Sequence, residues 1–223
     1  MKISIFAVAV TFLSTVMHAR ASDSAYIFLQ KFPLENTWDS LFHTEVVACP
    51  KSQFSEEDRM FLDDAISNLS DYMKISDEWW KSKGDVTCTE FGYGGSDCSD
   101  RCCSVPHGES TMHYAMNARK AVIANADVRK KTMYLYGQSS LSAEEAYHYL
   151  CLSSQSCWSN WAGTDYNALN NNCNTFTSTV LHCVYGLSEK KPNLGPSDMV
   201  TVTCDKCPKD YLGEKVIMSN LRG

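Results

Sequence analysis

Apolar runs punctuated by turn residues divide this chain into short elements of two different periods. Ala25 to Phe32 reads A-Y-I-F-L-Q-K-F, a β-type run closed by Pro33. The turn-like segment Leu34 to Ser40 leads to a second run, L-F-H-T-E-V-V-A. Alternation puts Leu41 and Val47 on the face of His43, and Phe42, Val46 and Ala48 on the other, so both faces are apolar and both runs are predicted core strands. Ser55-Glu56-Glu57-Asp58 then opens like a helix N-cap with an acidic first turn, and Phe61, Leu62, Ala65, Ile66, Leu69, Tyr72 and Met73 recur at helical spacing. The charged residues of this amphipathic helix form its expected solvated face. Trp79 and Trp80 follow as expected core and rim packing.

Asp85 to Phe91 alternates as a third strand before the turn Gly92-Tyr93-Gly94-Gly95. The stretch Met112 to Val128 reads as polar and helical, Lys131 to Tyr136 as a strand, and Ser142-Ala143-Glu144-Glu145 as a new helix start running to Leu150. Asn170, Asn171 and Asn172 predict a turn and N-cap, after which Phe176, Val180, Leu181 and Val184 define one helical stripe. A loop with Pro192 and Pro196 and a final short strand around Met199 to Thr203 complete the pattern.

Composition adds a compartment. Met1 to Ala21 holds Lys2, the apolar run Ile3 to Val16 and the small-x-small signal Ala19-Arg20-Ala21, which reads as a signal peptide. Its run is shorter than the roughly 20 residues of a membrane span, and no later segment is comparable, so the expectation is an exported chain without a span, secreted or in the secretory lumen. Without Lys2 and Arg20 the net charge moves from −6 to about −8, which disfavours nucleic acid and anionic membranes as partners. An apolar content of 44% over the full sequence suffices for one domain, and no repeat or low-complexity linker divides the remaining length. Eleven cysteines in an exported chain imply a disulfide framework, and the odd count leaves at least one thiol unpaired within the molecule.

Parity does not say which cysteine is left over, and intermolecular pairing would use it equally well; Cys173 is either one more half-cystine or small buried residue, or the thiol at which chemistry enters. Cys173 stands where the Asn-rich turn meets a helix, and the free N–H groups of a first helical turn stabilise the thiolate, the reactive form of cysteine. His43, on a strand apolar on both sides, is either a core histidine bonded to a carbonyl or a base. Other motifs resolve without function. The glycines after Phe91 lack a nucleotide-binding pattern, and Cys98, Cys102 and Cys103 with nearby His107 fit disulfides better than zinc. Cys204-Asp205-Lys206-Cys207 lacks a redox strand-to-helix context, and Asn68-Leu69-Ser70 is a glycosylation acceptor of low specificity. Neither a metal nor a cofactor is expected.

Three pieces occur in one order: F-H-T-E-V-V, then E-F-G-Y-G-G, then Y-N-A-L-N-N-N-C-N-T-F ahead of a helix. With the segment L-Y-G-Q-S-S-L-S-A-E-E, the chain from about Tyr26 to Pro196 resembles the PPPDE family of circularly permuted, papain-like thiol peptidases, which includes deSUMOylating isopeptidases. The resemblance implies an α+β fold in which a small antiparallel sheet packs with helices, here stabilised by disulfides. It implies one such domain over 22–223, with a helical insertion at about 55–83 and a Cys-rich loop at about 88–103. It further implies Cys173 as nucleophile and His43 as catalytic histidine, cleaving a peptide or isopeptide amide in a protein or peptide substrate. The backbone N–H of Cys173 is the expected oxyanion donor. Asn172 and Asn174 are expected as turn and cap residues. Glu90 and Tyr93 are neighbouring candidates for orienting the imidazole, with nothing to choose between them. The insertion, the dense cysteines and the signal peptide depart from the compact intracellular members, so the same scaffold also accommodates an inactive secreted binding protein or effector, or a lipid-directed acyltransferase or thioesterase. No feature sets an oligomeric state.

Overall fold

The structure is a computed structural model that describes residues 24–33, 42–94, 117–123, 132–143, 145–146, 150, 162–167, 172–188 and 190. The expected signal peptide, the turn after Pro33, Cys98, Cys102, Cys103, His107, the Cys204–Cys207 motif and the strand near Met199 lie outside these residues.

Among the described residues six strands form one sheet: β1 (Ala25–Pro33), β2 (Phe42–Pro50), β3 (Met73–Ile75), β4 (Val86–Gly92), β5 (Asn117–Ile123) and β6 (Thr132–Ser139). Their spatial order is β3-β6-β1-β2-β4-β5, and every neighbouring pair is antiparallel. The chain is thus α+β, as expected. β1 is apolar on both faces because both are covered. Tyr26, Phe28, Val47 and Leu135 pack with Phe54, Leu62 and Trp80 from the segment carrying α1 (Glu56–Ser67) and α2 (Asp77–Lys81). Ile27, Leu29, Val46, Ala48 and Phe91 pack with Phe176, Val180, Leu181 and Val184 from α3 (Cys173–Thr179) and the π-type turn Val180–Val184 that continues it. Burying a side chain of this size contributes about 1.5–3 kcal/mol, so the two clusters clamp the sheet between helical layers. A bulge in β6 at Tyr136–Gly137 shifts its register against β1, and Gly137 takes a φ of 155°, which side-chain-bearing residues rarely adopt.

Two expectations are corrected. The helical spacing through Met73 overshoots: α1 ends at Ser67 with Asn68 as C-cap, and Met73 begins β3, paired with Leu135. The segment expected to be helical around Met112 to Val128 contains β5, which runs from Asn117 to Ile123 against β4. In the order of the described strands β5 stands at the end of the sheet, beside β4. The expected charged face of α1 is also only partly solvated. Asp58 lies four residues before Leu62 on the inward stripe, is buried, and pairs with Lys83, while Met60 and Phe61 are exposed. Trp80 is buried and Trp79 half-buried, with Phe61 against Trp79 at the rim. At Ser142 the expected N-cap takes the reciprocal form: Glu145 N–H donates to Ser142 Oγ at 3.2 Å and Ser142 N–H donates to Glu145 Oε2 at 2.8 Å.

Candidate active site

α3 begins at Cys173 because Asn172 stays extended, with φ −123° and ψ −177°, and accepts two helix-start N–H groups on Oδ1, from Asn174 at 2.9 Å and Thr175 at 3.1 Å. Asn172 is the cap that its position predicts. Every residue of α3 is buried, including Asn174, Thr175, Thr177, Ser178 and Thr179. A helix buried all round must satisfy its polar side chains internally. Thr177 and Thr179 donate to the carbonyls of Asn174 and Thr175, each at 3.0 Å. Asn174 does more than turn the chain: its Oδ1 accepts from Thr44 Oγ1 at 2.7 Å, and Thr44 also meets Thr177 Oγ1 at 3.0 Å. These bonds pin the first turn of α3 to β2.

The sheet leaves room for this docking. β2 pairs with β4 only from Val46 to Ala48, opposite Phe91 to Thr89, whereas its pairing with β1 continues to Phe42. Among the described residues no strand therefore pairs with β2 at 42–45 on the β4 side. Cys173 lies against this stretch, and the backbone N–H groups of Thr44 and Asn174 both donate to its sulfur. From this end of β2 His43 also reaches the thiol, and the two side chains are hydrogen-bonded to each other. The two residues singled out in the sequence, 130 positions apart, thus meet.

Behind the imidazole lies a residue that sequence reasoning left unassigned. Glu45 Oε1 is 3.3 Å from His43 Nε2. Its other oxygen, Oε2, accepts from Gln30 Nε2 at 2.5 Å, and the same amide donates to Glu90 Oε1 at 2.8 Å. Gln30, Glu45 and Glu90 are all buried, on the adjacent strands β1, β2 and β4. The usable signal was alternation: a residue two positions from His43 on a strand shares its face. Of the two candidates named for orienting the ring, Glu90 belongs to this cluster through Gln30. Tyr93 donates its hydroxyl to the carbonyl of Ala162 at 2.8 Å and packs with Tyr166 and Phe176.

Burial pulls the His43 imidazole towards its neutral form, but hydrogen bonds to Cys173 and Glu45, and then their negative charge, outweigh it and hold the ring above its ordinary value. Burial likewise pushes the Cys173 thiol up. It is outweighed by the hydrogen bond and charge of His43 and by the N–H groups of Thr44 and Asn174, so the thiol falls below its ordinary value. Both shifts run towards the charged forms, the thiolate of Cys173 and the imidazolium of His43. Burial and the Cys173 charge raise the Tyr166 phenol, which stands within electrostatic range of the sulfur.

Cysteine pairing fits this state. Cys49 is bridged to Cys88, and Cys183 is disulfide-bonded. Cys173 is the free cysteine among the described residues. Among those residues no group of three or more His, Cys, Asp or Glu side chains is arranged to hold a metal ion, and no helix is long and apolar enough to cross a membrane. No protein-family model, curated protein or solved structure matches the chain.

Proposed function

We propose that the protein is an exported cysteine hydrolase of the PPPDE-like, circularly permuted papain type, cleaving a peptide or isopeptide amide with His43 and Cys173. The observation that carries this reading is the contact of a free thiol with a partly exposed imidazole that is itself backed by a carboxylate. The ordered motifs around His43 and Cys173 support the family. The N-terminal pattern at 1–21 and the Cys49–Cys88 bridge support export.

In this mechanism the Cys173 thiolate attacks the carbonyl carbon, forming a C–S bond while the carbonyl π pair moves onto oxygen. The backbone N–H of Cys173, at the start of α3, is the proposed donor to that oxyanion. When the oxyanion collapses the C–N bond breaks, and the His43 imidazolium gives its proton to the departing amine. Neutral His43 then takes a proton from water. The resulting hydroxide attacks the thioester, the C–S bond breaks, and the carboxylic acid leaves with the ion pair restored. No metal takes part in these steps.

The test is turnover of a library of internally quenched peptides together with lysine-linked isopeptides, by the mature chain with its disulfides intact. Hydrolysis with a stoichiometric acyl burst is expected, reduced at least about 10³-fold in Cys173→Ala and in His43→Ala. Turnover that survives Cys173→Ala, or a Cys173 recovered in a disulfide, refutes the proposal. Release of acyl groups from lipid esters but from neither peptide class would reassign the substrate.

A further inference from the structure

The cluster Gln30, Glu45 and Glu90 is costly where it stands. Two acidic side chains, Glu45 and Glu90, are buried there at 9% and 2% exposure, and the amide nitrogen of Gln30 gives one hydrogen to each. The amide's own oxygen is buried without a hydrogen-bond partner. Apolar side chains of similar volume usually serve the interior of a sheet better, so such a cluster calls for a purpose beyond packing.

Its geometry converges on a single carboxylate. Both oxygens of Glu45 are committed, Oε1 towards His43 Nε2 and Oε2 to Gln30. Beside Glu45, β4 ends in Gly92, where a Cβ would lie 2.8 Å from Oε1, the oxygen that faces His43. Gly92 does not have a positive φ, so what requires glycine is the close approach and not the backbone conformation. The other charged groups around the imidazole are the Cys173 thiolate from α3 and, near it, the Tyr166 phenol. On β1, Lys31 lies over the Phe42 ring, and β5 places Arg119 opposite Glu90 in register. Among the described residues, Glu45 is the carboxylate shown in contact with the ring.

We propose that Glu45 is the positioning residue of the His43–Cys173 pair: it fixes the imidazole through Nε2 and holds positive charge there, while Gln30, Glu90 and the bare backbone at Gly92 fix Glu45. This deepens the hydrolase reading and rests on it for its catalytic meaning, but the contact can be tested without a substrate.

The experiment follows the rate of Cys173 alkylation by iodoacetamide from pH 4 to 10 in the disulfide-intact chain, with the labelled site identified by peptide mapping. A small neutral reagent suits a residue only 6% exposed. In the wild type a rate plateau bounded by two limbs is expected, the lower from thiolate formation and the upper from loss of the imidazolium proton. Glu45→Gln keeps a hydrogen-bonding group near Nε2 but removes its charge, so the upper limb should fall by about 1–2 pH units while the plateau rate changes little. Glu45→Leu removes orientation as well, and the plateau should fall about 10- to 100-fold. If the wild type shows a single limb at the position of an ordinary thiol, the ion pair fails and the hydrolase reading fails with it. If the wild type shows both limbs and both folded variants superimpose on it, the role of Glu45 is overturned while the ion pair stands. Should Glu45→Leu not fold, Glu45→Gln decides alone, since it keeps the side chain's volume, and with it the burial of the imidazole, while removing the charge.

Discussion

His43 and Cys173 each sit in surroundings that would neutralise an isolated charge, and each is shifted towards its charged form by the other, His43 also by Glu45. The consequence for stability has a definite sign. His43 binds its proton more tightly when folded, so its contribution is fully present below its unfolded value of about 6.5 and is lost as pH rises through the folded one. Cys173 is depressed when folded, so its contribution is present above about 8.5 and is lost as pH falls through its folded value. The pair therefore stabilises most between these limits. Cys173→Ser should cost about 1.5–3 kcal/mol near neutrality and less in both acid and alkali, read by urea unfolding at several pH values. A cost independent of pH would mean that the pair is uncharged. These two residues were legible in the sequence because each broke a pattern, a histidine in a doubly apolar strand and a cysteine at a capped helix start. Glu45 was less so: alternation puts it on the face of His43, but a glutamate in a strand ordinarily marks the solvated side. Only the ending of the β4 pairing at Val46 shows that this end of β2 opens onto α3.

At the scale of elements, the site depends on how the first turn of α3 is held on β2. Thr44→Val keeps the shape but removes the hydroxyl shared by Asn174 and Thr177, leaving two buried polar groups short of a partner. A loss of about 1–3 kcal/mol in unfolding free energy is expected, with slower labelling of Cys173. Gly92→Ala should cost a similar amount, about 1–3 kcal/mol by overpacking, because Gln30 restrains the Glu45 carboxylate from yielding. The same scale explains what sequence patterns misread. Helical spacing cannot locate the end of α1, since Met73 fits both the helical stripe and the strand beside β6; pairing with Leu135 decides it. The sequence N-A-R-K-A-V-I is polar enough for an exposed helix, and it becomes β5 because β4 offers an unpaired edge that only a distant segment can fill. Such choices are made by tertiary contacts, beyond the reach of local propensity.

For the whole molecule, the question is whether the disulfide framework and the thiol site are separable. Cys49 and Cys88 tie β2 to β4 across 39 residues, a loop whose closure stabilises by about 4 kcal/mol through the entropy of the unfolded chain. The bridge lies at the far end of β2, six residues from His43, which at strand rise is about 20 Å. Between them, Val46, Val47 and Ala48 are fully buried and paired on both sides, so the strand is fixed without the bridge. The double variant Cys49→Ala/Cys88→Ala should therefore lose about 4 kcal/mol in urea unfolding yet, while folded, keep the wild-type pH profile of Cys173 alkylation. It should also keep Cys173 as a free thiol: removing two paired cysteines from eleven preserves the odd count, and burial against His43 keeps that thiol from exchange. A changed alkylation profile in the folded variant would show that the bridge sets the geometry of the open end of β2, and that framework and site act as one unit.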